Sequence, residues 1–400
     1  MIRNIFSQIS PRIAIMMTNQ LATLFTIPWL AAHLNIELFG LIATSLIIIQ
    51  TGWIIIDWGG INYSAEIWKS EQSISIKNEL ITNITSSKLY IAVIYLIVIA
   101  VLIFFDVINL PWIFFLLSIP AAIAGGIFPL WFYHVTKKPS DLVFVTFVMR
   151  LIFLICVMSF IRDDSDAFFY LILFSGTITF ITIYAFVRMI FKYSFRWNNF
   201  SQKSAFKHIR RSTSFLINSV TNNYIQSVWS ISLALTGSPL AIAIYNIAEQ
   251  GYRAGNAISN TISQVIRINS KNNSPYKTFK LIFFFIIIYF FTACFFYLVS
   301  DTLIKLLFPS EFLNAIKILK VMIVIWFIQS LIHIVNYPIL GKLIGVIEVH
   351  RLNPILISLH GICLFFWSFS SNSPFNMVLF LAFASILQLL IMFYLIVRNL

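Results

Sequence analysis

The chain has 400 residues, of which 60% are hydrophobic and only 10% charged, and its mean hydropathy is +0.90. Soluble domains carry about 25% charged residues, so a water-soluble fold is excluded and the surrounding solvent is largely lipid. The net charge of +13 fits the basic cytoplasmic loops of a membrane protein better than a nucleic-acid partner.

A hydrocarbon core about 30 Å thick takes about 20 apolar residues per helix. In chain order that window predicts twelve spans, near 9–33, 38–60, 82–105, 109–133, 141–161, 167–190, 211–235, 239–265, 279–300, 316–339, 352–370 and 375–397. The first run lacks a small-residue cleavage site, so no signal peptide is expected. With the N-terminus inside, external segments fall near 34–37, 106–108, 162–166, 236–238, 301–315 and 371–374. Most of the Lys and Arg then lie on the inner side, and every internal loop obeys the positive-inside rule. The expectation is an all-α polytopic protein of the bacterial inner membrane, with both termini cytoplasmic.

The longest polar break carries Lys192, Arg196, Lys203, Lys207, Arg210 and Arg211. It divides the chain into an N-terminal lobe of six helices (1–191), a basic cytoplasmic linker (192–210) and a C-terminal lobe of six helices (211–400). Thr18-Asn19 in the first span recurs as Thr221-Asn222 in the seventh. This faint repeat fits two lobes around a central cavity.

A charge at mid-bilayer costs about 2.5–3.5 kcal/mol on insertion scales, so each needs water or a partner. In the first two spans, Asn19, Gln20 and Gln50 suit either sugar hydroxyls or neighbouring helices. Asp57, near the inner end of the second, either faces cytoplasmic water or carries a coupling ion. Arg150, midway along the fifth, has no obvious local partner and reads equally as an anion site or a structural pair. Ser214, Asn218, Asn222, Gln226 and Ser230 recur every fourth residue in the seventh. In the eighth, Asn246, Glu249, Arg253, Asn256, Asn260 and Gln264 fall three or four apart, on one helical face. Two such stripes predict a water-filled cavity, the alternative being hydrogen bonds between helices in a dry bundle. Glu249 and Arg253, four apart, either neutralise one another or serve an anionic substrate and a proton. A guanidinium grips phosphate oxygens through a planar fork, so Arg150 and Arg253 together suit a pyrophosphate. Pro28, Pro120, Pro129 and Pro338 are expected to bend their helices, and Gly125-Gly126 to allow close packing or flexing.

Other chemistry is scarce. Cys156, Cys294 and Cys363 lie in apolar runs and read as small core residues. His134, His350 and His360 read as loop or helix-end residues. Arg162-Asp163-Asp164-Ser165-Asp166 is the one acidic cluster; it reads as a hydrated turn in preference to a metal-dependent transferase site. No P-loop, metal-spaced His/Cys cluster or nucleophile elbow occurs, so neither a cofactor nor an enzyme is expected.

Several landmarks resemble the polysaccharide-transporter family of Wzx-type flippases, in the multidrug/oligosaccharidyl-lipid/polysaccharide exporter superfamily. Asn19-Gln20, Pro28 and Leu38-Phe39-Gly40-Leu41 are similar to the family's first helix and the start of its second. Asp57-Trp58-Gly59 resembles the end of helix two, Pro129-Leu130-Trp131-Phe132 the end of helix four, and Tyr245 to Glu249 a signature of helix eight. Tyr133-His134 and Ala243 depart from the pattern, where a polar residue with Gly, and Gly, are frequent. The resemblance implies flipping of an undecaprenyl-pyrophosphate-linked O-antigen oligosaccharide from the cytoplasmic to the periplasmic leaflet, through a cationic cavity. Arg150, Arg253, Glu249, Asn222, Asn246, Asn256 and Asn19 are then the candidate substrate residues, with Asp57 and Glu249 for a coupling ion. Partners are the lipid-linked oligosaccharide, the bilayer and other O-antigen assembly proteins. The rival readings are a multidrug or organic-cation antiporter, a lipid II flippase, and a membrane glycosyltransferase or polymerase. Two buried arginines disfavour cationic substrates, lipid II flippases often carry further helices, and the external segments are short for catalysis.

Overall fold

The computed structural model describes residues 22–68, 73–136, 138, 140–197, 202–270, 275–369 and 373–399. Among them there is no strand. The helices are α1 (22–33), α2 (Ile36–Asp57), α3 (Gly60–Ile67), α4 (Ile74–Phe104), α5 (Trp112–Ile127), α6 (Leu130–Val135), α7 (Ser140–Phe160) and α8 (Ala167–Tyr193). They continue with α9 (Gln202–Thr236), α10 (Pro239–Ser270), α11 (Pro275–Leu307), α12 (Ala315–Val335), α13 (Gly341–Leu343), α14 (Val346–Ser368) and α15 (Pro374–Asn399). Each expected span overlaps a helix where its residues are described, although the second is broken at 58–59 and the fourth at 128–129. Among the described residues, eight helical stretches are long and apolar enough to cross a membrane: α2, α4, Trp112–Tyr133, α7, Asp164–Tyr193, Lys280–Leu307, α12 and α15. The protein is an all-α polytopic membrane protein. Helices α9 and α10 have 35 and 32 residues. At 1.5 Å per residue each exceeds a bilayer core, and their polar stripes lower the hydropathy.

The chain packs as two compact units, Leu41–Thr236 and Met1–Gly40 with Gly237–Leu400. In the first, the Pro129-Leu130-Trp131-Phe132 landmark is core. Trp131, Phe132 and Tyr133 are buried with Ile81, Ile84, Leu142 and Met189, and Tyr133 donates its hydroxyl to the Ala185 carbonyl at 2.7 Å. Pro129 falls in the break between α5 and α6, whereas Pro120 stays inside α5. A proline inside a helix removes one N–H from its ladder. Around it, Ser175 and Thr182 of α8 donate to the carbonyls of Leu117 and Ala124. Gly125-Gly126 serves close packing: a Cβ on Gly125 would lie 2.0 Å from Trp53 Nε1, and one on Gly126 2.5 Å from Ile56 Cβ.

In the other unit, α12 packs on α10, α11 and α15. The Phe39-Gly40 landmark has a steric reason here. Phe39 is buried edge-on against Phe312 at 5.5 Å, and a Cβ on Gly40 would collide with the Pro239 carbonyl at the start of α10. Helix α12 runs into a wider π-helical turn, Asn336–Leu340, which contains Pro338. Helix α11 exposes Phe283, Phe284, Phe291, Phe295 and Leu298, as a lipid-facing helix does. Cys294 lies exposed on it, which corrects the expectation of a core residue; Cys156 is half-buried and Cys363 buried. All three are free thiols.

The acidic cluster is a turn that caps α8. Asp163 accepts from the Ser165 N–H at 2.9 Å, and Asp166 accepts from the Arg162 N–H at 3.0 Å. These bonds to Ser165 lower the Asp163 pKa.

Candidate functional site

Among the described residues, each unit holds a buried ion pair that includes a residue singled out in the sequence, Glu249 and Arg253 in one and Asp57 in the other. Helix α10 begins at Pro239, whose missing N–H costs nothing in the first turn, and Ser238 Oγ accepts from the Ala241 N–H at 3.3 Å as its cap. Ten residues on, Arg253 Nη2 donates to Glu249 Oε1 at 2.8 Å. The Glu249 side chain is 2% exposed and that of Arg253 16%. Asn246 and Asn256 of the same stripe are buried as well, so the polar stripe is covered by protein in this structure. The face of α10 that lines a cavity is mainly apolar. Gly251, Ala254, Gly255 and Ile258 line a cavity of about 360 Å³ with Ile27 of α1 and Trp326 of α12. Gln250 and Tyr252 line it too, so the cavity is mainly apolar, and Asn246, Glu249, Arg253 and Asn256 are not in its lining.

In the other unit, Lys88 of α4 donates to Asp57 Oδ1 at 2.6 Å. The Lys88 side chain is 2% exposed and that of Asp57 18%, so Asp57 does not simply face cytoplasmic water. Helix α2 ends at Asp57 because Trp58 and Gly59 take left-handed φ angles of 47° and 72°, a conformation that breaks a right-handed helix. The chain restarts as α3, which is tied to α9. Trp58 Nε1 donates to Thr213 Oγ1 at 3.3 Å, and the Tyr63 ring meets His208 edge-on at 4.7 Å. His208 is buried; burial first, and the Lys88 charge second, push its pKa down to about 4.

Arg150 is buried midway along α7, and its guanidinium lies 5.5 Å from the centre of the Phe174 ring. Phe174 stacks with Trp53 and Tyr170 and meets Phe153 edge-on. The local partner that the sequence did not reveal is thus an aromatic cluster, where a cation over a ring face is stabilised by about 0.5–2 kcal/mol.

The structure brings Asn246, Glu249, Arg253 and Asn256 together on α10, and it places Asp57 and Arg150 in the other unit. Asn222 lies in α9, but its side chain, like those of Ser214, Asn218, Gln226, Asn260 and Gln264, lies outside the described residues. So do Asn19 and Gln20 entirely, and the side chains of His134, His350 and Pro338. His360 is a correction: it is fully buried within α14 and bonds Gln388 Oε1 at 3.2 Å. Sequence reasoning also missed a row of buried bonds between helices, Ser259 to Ser330 at 2.7 Å and Gln329 to Ser385 at 3.0 Å. Lys88 carried one usable signal, as a basic residue inside an apolar run. His208 carried none.

A family profile described as "Polysaccharide biosynthesis protein" matches residues 6–268. The chain belongs to the polysaccharide biosynthesis protein family. The match ends at the close of α10 and so takes in Asp57, Lys88, Arg150, Glu249 and Arg253. No curated protein sequence matches this family member. Among solved structures, its fold is similar to "Lipid II flippase MurJ, inward closed conformation", with TM-score 0.72 and 13% identity over 97% of this chain and 86% of that one. It is also similar to a Vibrio cholerae MATE transporter, VcmN, with TM-score 0.53 and 12% identity over 99% and 96%. At these identities the likeness is one of fold.

Proposed function

We propose that the chain is a flippase that moves an undecaprenyl-pyrophosphate-linked O-antigen oligosaccharide from the cytoplasmic to the periplasmic leaflet. The observation that carries this reading is the buried polar face of α10. A membrane helix that gathers Asn246, Glu249, Arg253 and Asn256 on one side needs partners or water for them, and an aqueous or substrate-filled state supplies both. Family membership and the two transporter-like folds support the class of activity. The reading keeps twelve spans in two lobes, 1–191 and 211–400, joined by a basic linker at 192–210, with both termini cytoplasmic.

In the mechanism we infer, the lobes part on the cytoplasmic side and uncover the α10 stripe. Arg253 exchanges Glu249 for the pyrophosphate, and the amides of Asn246, Asn256, Asn222 and Asn19 meet the sugars. Arg150 would join only by leaving the Phe174 ring, so Arg253 is the principal anion ligand. The polyprenyl tail stays in lipid while the lobes rock outward. Glu249, freed from Arg253, and Asp57, paired with Lys88, are the positions for a coupling proton or sodium ion.

The reading predicts direct binding. Purified protein titrated with undecaprenyl-pyrophosphate oligosaccharide should bind it, and Arg253→Gln should weaken binding by at least about tenfold, the worth of one hydrogen bond to a charged group. Unchanged binding by that variant would remove Arg253 from the anion site. Tight binding of an organic cation in place of the glycolipid would favour the antiporter reading.

A further inference from the structure

Away from both ion pairs, α7 and α8 gather a second cationic centre at one end of their spans. Asp141, in the first turn of α7, accepts from Lys192 Nζ at 2.7 Å and from the Tyr193 hydroxyl at 2.8 Å, with Arg188 Nε 3.3 Å away. Arg188 also donates to the Tyr184 hydroxyl at 3.1 Å. Lys138 stands over the Tyr193 ring at 5.5 Å. Two cations therefore pair with one carboxylate while a third stands over the neighbouring Tyr193 ring, and the set keeps an excess of positive charge. The cations are reachable: the side chains of Arg188 and Lys192 are 32% and 43% exposed, and Lys138 is exposed. The Asp141 carboxylate holds Arg188 and Lys192 in place, which lowers the ordering cost of engaging a further anion.

The surroundings say which anion. Phe144, one turn beyond Asp141, is 78% exposed, and Phe191, next to Lys192, is 81% exposed. Such side chains face hydrocarbon in a polytopic protein, while tyrosines such as Tyr184 and Tyr193 favour the headgroup level. The cluster thus lies where the lipid phosphates lie, with apolar surface directly beside it. A soluble phosphate would find charge here but no use for the exposed phenylalanines. A headgroup with acyl chains uses both.

We propose that Arg188, Lys192 and Lys138 form a binding site for the phosphate of an anionic phospholipid, whose acyl chains lie over Phe144 and Phe191. The guanidinium fork and the two ammonium groups share the phosphate oxygens, and Asp141 positions the cations. Bound lipid clamps the ends of α7 and α8 together.

The test uses the full chain, delipidated in detergent, with phosphatidylglycerol, phosphatidylcholine or inorganic phosphate added at equal concentration. Lipid retention is read by native mass spectrometry and stability by thermal unfolding. Phosphatidylglycerol should be retained in preference to phosphatidylcholine and should raise the melting temperature. Lys138→Gln, which leaves both ion pairs to Asp141 intact, should weaken phosphatidylglycerol about fivefold, the worth of one surface cation near an anionic leaflet. Its melting temperature in phosphatidylcholine should not change. Arg188→Gln with Lys192→Gln should weaken retention further; if that variant does not fold, Lys138→Gln and Lys138→Glu decide alone. Equal retention of the two lipids, or full affinity in Lys138→Gln, would overturn the proposal. So would equal protection by inorganic phosphate, which needs no acyl chains.

Discussion

Charged side chains within this chain's apolar spans find neighbours of a kind that lowers the cost of leaving water. Lys88 and Asp57 pair at 2.6 Å, Arg253 and Glu249 at 2.8 Å, and Arg150 lies over the Phe174 ring. Next to the first pair, His208 takes the opposite solution and stays neutral, its pKa lowered from 6.5 to about 4 by burial and by Lys88. The direction of its contribution to stability follows from linkage. As pH falls below 6.5 the unfolded chain takes up a proton that the folded chain refuses until near 4. Stability is therefore full above pH 6.5 and declines between 6.5 and 4, by at most about 1.4 kcal/mol per pH unit for one group. Thermal unfolding of the detergent-solubilised protein across that range should show the decline, and His208→Gln should flatten it. An equal decline in His208→Gln would place the titration elsewhere.

At the scale of single helices, packing is set by where side chains are missing. Helix α5 approaches Trp53 and Ile56 through Gly125 and Gly126, whereas Gly176 of α8 has open space around its Cβ position. Gly125→Ala should destabilise the protein by about 1–3 kcal/mol through overpacking. Gly176→Ala should stabilise it by about 0.5–1 kcal/mol through helix propensity. Chemical unfolding of the two variants side by side checks both signs. This contrast also marks what a sequence discloses. The helices were legible because lipid demands about 20 apolar residues in a row, and the α10 stripe because a helix repeats every three to four positions. The partners were not. Asp57 and Lys88 lie on different helices, as do Arg150 and Phe174, and a period along one helix carries no information about the next. His360, read as an ordinary helix-end residue, is buried for the same reason: its partner Gln388 belongs to α15.

For the whole molecule, the account rests on one cycle. The α10 stripe, covered in this structure, must be uncovered for a glycan and its pyrophosphate, and Glu249 must release Arg253 when the anion arrives. The anionic lipid held at α7 and α8 is a separate element, whose failure would leave this cycle untouched. The most direct test uses sealed vesicles containing the protein and labelled undecaprenyl-pyrophosphate oligosaccharide, with a glycan-modifying enzyme outside. The account predicts time-dependent access of the enzyme to the glycan that requires the protein and falls at least about tenfold in Arg253→Gln, from the loss of a charge-assisted bond. A glycan that stays protected in vesicles that export a cationic dye would contradict it.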